Sequence, residues 1–281
     1  MSSSMAVAGK GLKRRKRESI FRFETIFPLF SLILVLYIVV PPITLLSLSI
    51  SDRFDLLWGF LPMGLTFEMY TAWADVVFQA MISSLMIAIP TGILTLFIGL
   101  PVAYALVRLD FPGKMLINEL VLLPMIFPPI ILAFGLFQLF QTGAFRDIGV
   151  LPTLVMAHTV VSTPFLIRPV VAALQRVEVS FEEAAHSLGA SRLRAFLDIV
   201  MPVVLPALMT GVTLVIARSI SDFEITLLLT NPDYTTLPIA IYQAFETGKA
   251  RLGAAVAIIA NIFSILLVIG LEGLIRRSRW W

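Results

Sequence analysis

Long apolar runs separated by short polar stretches dominate this chain. A hydrocarbon core of about 30 Å requires roughly 20 apolar residues per helix. Six runs reach that length, at 26–50, 78–107, 115–140, 150–172, 203–229 and 253–275. Prolines within the second and third runs predict kinks or local breaks, at Pro90, Pro101, Pro124, Pro128 and Pro129. The pattern therefore predicts an all-α polytopic protein with six transmembrane helices.

Composition agrees with a membrane protein. Of the 281 residues, 58% are hydrophobic and 14% are charged, whereas soluble domains have about 45–50% apolar residues. The chain has no cysteine, which excludes disulfides and cysteine-ligated metals. Its two histidines, His158 and His186, fall in a span and in a polar connection, so we predict no metal site. The net charge of +3 suits anionic membrane lipid, and no basic face predicts a nucleic-acid partner.

Basic residues mark one side of the membrane. They are concentrated in the tails 1–25 and 276–281, and in the second and fourth connections, at Arg108, Lys114, Arg176, Arg192 and Arg194. Because such residues are enriched on the cytoplasmic side, we predict that both termini and the fourth connection are cytoplasmic. Between the tails lie a first helix with an outer connection, 26–77, and a core of five further helices, 78–275.

The fourth connection contains an amphipathic segment, 180–202, which we call the coupling segment. Ser180 and Glu183 have the spacing of a capping box, which predicts a helix that starts at Ser180 and stops at Gly189. A second helix is predicted to begin at Ser191. We expect this water-facing hairpin to dock another protein.

Residue types along the coupling segment suit such a surface. The small side chains of Ala184 and Ala185 permit close approach of a partner, and Glu182 and Glu183 add polarity there. Glu183 has a second interpretation, as the cap of its own helix. Arg192 either meets acidic residues of the partner or faces solvent and anionic lipid.

Six positions of this segment match, in spacing, the EAA motif of ATP-binding-cassette (ABC) importer permeases: Glu183, Ala184, Ala185, Gly189, Ile199 and Pro202. Met201 stands where the family usually has leucine, a conservative apolar change. The chain resembles this family from about 78 to 271. The resemblance implies a type I (MetI-like) permease fold in which the coupling segment sits in a cleft of a cytoplasmic ATPase.

The same resemblance implies the other partners. They are two ABC ATPase subunits, a second permease subunit expected to be a different chain, an extracytoplasmic solute-binding protein and a small polar solute. It also implies a multi-pass location in the bacterial inner membrane. This chain has no GxxxxGKS or GxxxxGKT phosphate loop and no hydrolase motif. We therefore predict no enzymatic activity and no cofactor in this chain, with ATP and Mg²⁺ bound by the ATPase.

Arg218, Asp222 and Glu224 stand out in the fifth run, because a charge near the bilayer centre costs about 2.5–3.5 kcal/mol. Arg218 and Asp222 are four residues apart on one helix and can pair, which leaves Glu224 for another role. We predict that this cluster borders the solute path; the alternative is that it serves only helix packing. Other candidates for the path are Gln79, Ser83, His158, Thr159 and Ser162.

The solute is predicted from a narrower resemblance. The sequences SISDFEITLL and TLPIAIYQAF, in and after the fifth run, resemble spermidine and putrescine permeases. A polyamine is therefore the first choice, and ferric iron, thiosulfate and phosphonate are alternatives. Two hypotheses from other classes remain: an ion-coupled transporter that uses Asp222 and Glu224, and a structural membrane subunit that moves no solute.

Overall fold

The computed structural model describes residues 3–53, 62–142 and 145–277. Backbone contacts divide the chain into two units, Met1–Thr66 and Phe67–Trp281. Most of the predicted tail 276–281 lies outside the described residues. Helices make up most of the described chain, as the apolar pattern predicts.

The first unit contains one long helix followed by a small hairpin. Helix α1 covers Ser3–Ile50, so the described part of the basic tail, 3–25, and the first apolar run belong to one continuous helix. Strands β1 (Ser51–Arg53) and β2 (Met63–Leu65) pair antiparallel, with Ser51 opposite Leu65. This two-stranded sheet was not predicted from the sequence, in which the connection contains no alternating apolar pattern.

The second unit contains all the other helices. In chain order they are α2 (Glu68–Ala72), α3 (Ala74–Arg108), α4 (Lys114–Leu120), α5 (Leu123–Ile126), α6 (Pro129–Phe140), α7 (Val150–Leu174), α8 (Val179–Ser187), α9 (Arg192–Ala195), a π-helix (Phe196–Val200), α10 (Met201–Ile220), α11 (Glu224–Leu229), a 3₁₀ turn (Pro232–Tyr234), α12 (Leu237–Glu246) and α13 (Ala250–Arg277).

Among the described residues, five helices are long and apolar enough to cross a membrane, and a sixth crossing depends on a bent pair. That pair, Lys114–Ile126 with Pro129–Phe140, bends by 109°. Pro128 has an extended backbone and Pro129 begins α6, so the break predicted from these prolines is confirmed. By contrast, α3 continues through Pro90 and Pro101.

Contacts between α3 and α7 indicate that the bent pair returns along the bundle. Thr91 donates to the Val155 carbonyl at 3.5 Å, Gly99 packs on Leu166, and Arg108 donates to the Val177 carbonyl at 2.8 Å. Since the paired positions rise together, α3 and α7 run in the same direction. The stretch 109–149 between them must therefore return to the side where α7 begins.

Helix α10 runs opposite to α3 and α7 and packs closely against α7. His158 of α7 lies beside Ser219 of α10, whereas Leu166 lies beside Gly211. A Cβ at Gly211 would be 3.0 Å from the Leu166 Cα, so only glycine allows this approach without movement. The buried core around Leu166 is shared by α3, α7 and α10.

Helices α12 and α13 form a hairpin whose turn lies at the end of the bundle where α3 starts. Lys249, in the turn between them, lies 4.5 Å above the Trp73 ring. Val77 and Ala80 of α3 pack with Leu252 and Val256 of α13. Helix α13 therefore runs parallel to α3 and ends on the side that carries the coupling segment.

Candidate coupling and translocation sites

The first helix of the coupling segment does not begin with the predicted capping box. Helix α8 starts at Val179, one residue earlier, and its cap position is occupied by Glu178 without a side-chain cap bond. Ser180 donates to the Glu178 carboxylate at 3.2 Å instead, and the Glu183 side chain is exposed. The capping interpretation of Ser180 and Glu183 is therefore wrong, because Ser180 already lies inside the helix.

The turn of the segment forms as predicted. Gly189 has φ +88°, the left-handed conformation that glycine adopts without strain. The N–H groups of Gly189 and Ala190 donate to the carbonyls of His186 and Ala185, the pattern of a Schellman motif. Ser191 then accepts from the Arg194 N–H at 3.3 Å and caps the next helix.

That second helix is continuous with the following membrane span. Helix α9, the π-helix and α10 form one candidate span, Arg192–Ile220. The π-helix ends just before Pro202, which lies in the first turn of α10. A proline clashes with the carbonyl four residues earlier, and the wider π turn accommodates it. Pro202 thus connects the coupling segment to a membrane helix.

The outer face of the coupling segment is apolar. Phe181 and Ala184 of α8 and Leu188 at its C-cap follow each other at helical spacing, and all three are exposed. Leu188 is 90% exposed, and Leu193 of α9 is also exposed. Arg192 is exposed beside them, whereas Ala185 is half-buried. Exposed apolar residues at a tight turn form a surface suited to protein docking.

Glu182 faces the opposite way. It is the only buried residue of α8. Its Oε1 accepts from the Arg108 Nε at 2.8 Å, and its Oε2 accepts from the Tyr104 hydroxyl at 3.4 Å. We predicted from the sequence that Glu182 belongs to the docking surface. In the structure its carboxylate instead points into the bundle, toward the end of α3.

The predicted fifth run 203–229 is not one helix. Helix α10 ends at Ile220 and α11 begins at Glu224. The Asp222 Oδ1 accepts from the N–H groups of Ile225 and Thr226, both at 3.1 Å, so this carboxylate caps the new helix. The prediction of a continuous helix is corrected by this capping aspartate.

The predicted pairing of Arg218 with Asp222 is confirmed, since Arg218 Nη1 donates to Asp222 Oδ2 at 2.8 Å. His158 joins them from α7. Its Nδ1 lies 2.7 Å from the Ser219 Oγ, and its Nε2 lies 3.1 Å from the Thr226 Oγ1. Its Nε2 is also 3.7 Å from Asp222 Oδ1. We call these five residues the break network, because they surround the break between α10 and α11.

The remaining path candidates lie elsewhere. Glu224 is half-buried and makes no ion pair or hydrogen bond with any residue the structure describes. Thr159 is buried and donates to the Val155 carbonyl of its own helix at 2.7 Å. Ser83 and Ser162 are buried, and Gln79 is exposed near the start of α3. Their place on a solute path stays a prediction.

A cavity of about 190 Å³ opens between the end of α10 and the α12–α13 hairpin. Its polar lining comes from Ser221, Asn261 and Ser264. None of the predicted path residues lines it, although Ser221 directly precedes Asp222. The sequence did not mark these serines and this asparagine as candidates, because hydroxyls and amides are common in membrane helices.

Two arginines were missed as candidates for function. Arg108 was used only for orientation. Arg168 lies inside the fourth apolar run, where the cost of a buried charge should have marked it. It donates to the side chain and carbonyl of Asn118 on α4, at 3.3 and 3.4 Å. Arg168 has no carboxylate partner among the described residues.

The chain is similar in sequence to known transport proteins. Residues 95–280 match the family described as binding-protein-dependent transport system inner membrane component. The molybdenum transport system permease protein ModB of Escherichia coli (strain K12) is 33% identical over 224 residues, 73% of this chain and 96% of that protein. The spermidine/putrescine transport system permease protein PotC of the same strain is 30% identical over 246 residues, 86% and 90% of the two chains.

Solved structures share the fold. A chain of the bacterial alginate ABC transporter, in complex with an alginate pentasaccharide-bound periplasmic protein, aligns with TM-score 0.66 and 16% identity over 95% of this chain and 98% of that one. The MetNI methionine ABC transporter aligns with TM-score 0.61 and 20% identity, over 74% and 98%. The family match and the two E. coli relatives show that this chain belongs to the inner membrane components of binding-protein-dependent transport systems, the permease subunits of ABC importers.

Proposed function

We propose that this chain forms the translocation path for a small polar solute in an ATP-driven importer. The observation that carries the proposal is the exposed apolar face of the coupling segment, with Phe181, Leu188 and Leu193 at the turn between α7 and α10. Such a face suits a cleft in a motor subunit, and α10 continues directly from it. Closure of the motor would then move a membrane helix.

The partners follow from this arrangement. Two ABC ATPase subunits bind ATP and Mg²⁺ and contact the coupling segment. The distribution of basic residues supports a cytoplasmic position for this segment and for both termini. A second permease subunit, a different chain, completes the pathway. A solute-binding protein delivers the solute at the opposite end of the bundle, and the alginate transporter, whose complex includes a periplasmic protein, supports this role.

A variant of the turn tests the coupling role. Leu188 is 90% exposed, so Leu188→Asp changes the docking face without disturbing the core. We expect recovery of the ATPase with the tagged permease to fall about tenfold, since buried apolar anchors dominate interfaces. Leu188→Met keeps the apolar face and serves as the matched control. If an ATPase co-purifies equally with both variants, the coupling segment is not its docking site.

Deletion strains distinguish this proposal from the two rival classes of function. ATP-driven import predicts that uptake stops when the ATPase gene is deleted. Uptake that survives this deletion but stops when ion gradients are collapsed would support an ion-coupled transporter. Normal uptake after deletion of the permease itself would support a structural subunit.

For the solute, a polyamine is the first candidate. PotC supports it, as does the half-buried Glu224, whose carboxylate has no ion pair among the described residues and is free to meet a cation. A second candidate is an oxyanion. It is favoured by the similarity to ModB and by Arg168, which has no carboxylate partner in the described chain.

Labelled solutes separate these two candidates. The permease is expressed again in a strain that lacks it, and uptake of each solute is measured. Restored uptake of spermidine but not molybdate would support the polyamine, and the reverse result would refute it. Glu224→Gln should then reduce the uptake of spermidine, whereas Arg168→Gln should reduce the uptake of molybdate. The side chain of Asn231 bonds to Asp233, and Asn231→Ser gives a control variant that removes neither charge.

A further inference from the structure

We propose that the ion pair between Arg108 and Glu182 carries the movement of the coupling segment into α3. This inference rests on the proposed function and assigns a positioning role to Arg108. The chain itself joins the coupling segment to two membrane helices, α7 and α10. The ion pair would connect it to a third, α3.

The pair lies at the inner side of α8. The side chains of Arg108 and Glu182 are only 9% and 10% exposed, and Nε and Oε1 are 2.8 Å apart. Arg108 also donates through Nη2 to the carbonyl of Val177, in the loop between α7 and α8, at 2.8 Å. One guanidinium group therefore holds both the helix and the loop that leads into it.

Tyr104, one turn earlier on α3, contacts both parts of the coupling segment. Its hydroxyl donates to Glu182, and its ring packs edge-on against Phe196 of the π-helix, with 5.3 Å between ring centres. The end of α3 thus contacts α8 on one side and the start of the α10 span on the other. Arg108 and Glu182 are 74 positions apart in sequence, so this connection exists only in the fold.

The other contacts of α8 explain why the ion pair matters. Glu182 is the only buried residue of α8; the helix otherwise packs against α9 and the π-helix and is joined to the chain at its two ends. One end is followed by the glycine turn at Gly189. Without the ion pair, α8 could move about these ends and leave α3 in place. An ion pair with little exposure is screened weakly by salt, so its attraction persists at physiological ionic strength.

The test separates docking, hydrolysis and uptake in the complete complex. Arg108→Gln and Glu182→Gln are compared with Lys114→Gln, which removes an exposed ion pair with Asp110 at the same end of the bundle. We expect the ATPase to co-purify and hydrolyse ATP in all three variants. Uptake should fall about tenfold in the first two, within the range by which linking residues alter coupling between sites. Uptake equal to that of Lys114→Gln would overturn the proposal.

A charge exchange keeps the proposal testable if a single variant is unstable. The double variant Arg108→Glu with Glu182→Arg restores an ion pair and should recover part of the uptake. No recovery would overturn the proposal, because the other contacts of the two residues, not their pairing, would then carry the effect. Loss of the ATPase from both single variants would also overturn the proposal, because the pair would then shape the docking surface. Absence of the ATPase from the wild-type complex would instead refute the proposed function itself.

Discussion

Within the described residues, two arginine–carboxylate pairs have a buried carboxylate and the same contact distance, but we assign them different roles. Arg218 and Asp222 are four residues apart and meet at 2.8 Å beside a helix break. Arg108 and Glu182 also meet at 2.8 Å, but they join elements that are distant in sequence. A local pair can only fix the shape of its own segment, whereas a long-range pair constrains two segments together. Loss of the first should therefore affect folding, and loss of the second should affect transmission.

The largest expected effect comes from Asp222→Ala. It leaves Arg218 and two N–H groups of α11 without their acceptor, in a site where Asp222 is 3% exposed. Removing one partner of a buried pair costs about 3–5 kcal/mol. We expect a matching fall in the free energy of unfolding in detergent, with an unchanged ratio of ATP hydrolysis to uptake in the surviving protein.

Asp222→Asn is the control for that variant, because its amide oxygen can still accept from Ile225 and Thr226. It should recover part of the lost stability. Normal stability of Asp222→Ala combined with lost uptake would contradict the local role and return Asp222 to the solute path.

A smaller effect is expected for Ser219→Ala. The hydroxyl lies 2.7 Å from the His158 Nδ1 in a buried site, and an unsatisfied buried polar group costs about 1–3 kcal/mol. We expect the midpoint of thermal unfolding to fall, while uptake per folded molecule stays close to wild type. An unchanged midpoint would show that the contact between α7 and the break adds nothing to stability.

Gly189→Ala sharpens the comparison at the coupling segment. A Cβ there meets no atom within 4 Å, so the only cost is the positive φ. That cost is about 1 kcal/mol. We expect a modest loss of ATPase recovery in the co-purification assay, smaller than for Leu188→Asp. A loss as severe as that of the aspartate variant would mean that the turn itself, not the apolar face, decides docking.

The smallest effect is expected for Arg194→Gln, which removes an ion pair with Asp198 at 3.4 Å. These side chains are 76% and 66% exposed, and surface pairs contribute about 0–1 kcal/mol. The unfolding midpoint should not change measurably. A clear shift would show that an exposed ion pair can also contribute measurably to stability.

The sequence predicted what depends on nearby residues. The turn at Gly189 and the cap at Ser191 follow from local conformational preference, and the pairing of Arg218 with Asp222 follows from helical spacing. The bond between Arg108 and Glu182 could not be predicted, because nothing local joins two positions 74 residues apart. The wrong capping box shows that a local pattern can also mislead: Ser180 and Glu183 fit it, but the helix begins at Val179, one residue before Ser180.

The break after Ile220 was hidden for a related reason. The run 203–229 is apolar enough for one helix, and Asp222 was interpreted as a charge on its face. Only the structure shows that its carboxylate starts a second helix. The signal was nonetheless present, since aspartate followed by a helix-forming run is a typical start of a helix.

The bent crossing has a consequence for how the chain is made. Helix α6 has 12 residues, which corresponds to a length of about 18 Å, well short of the roughly 30 Å of hydrocarbon. Its buried face packs with α7 and with Ile225 and Leu229 of α11, which the ribosome adds much later. We therefore expect this part of the nascent chain to enter the bilayer incompletely and to reach its final depth only after synthesis has passed residue 229.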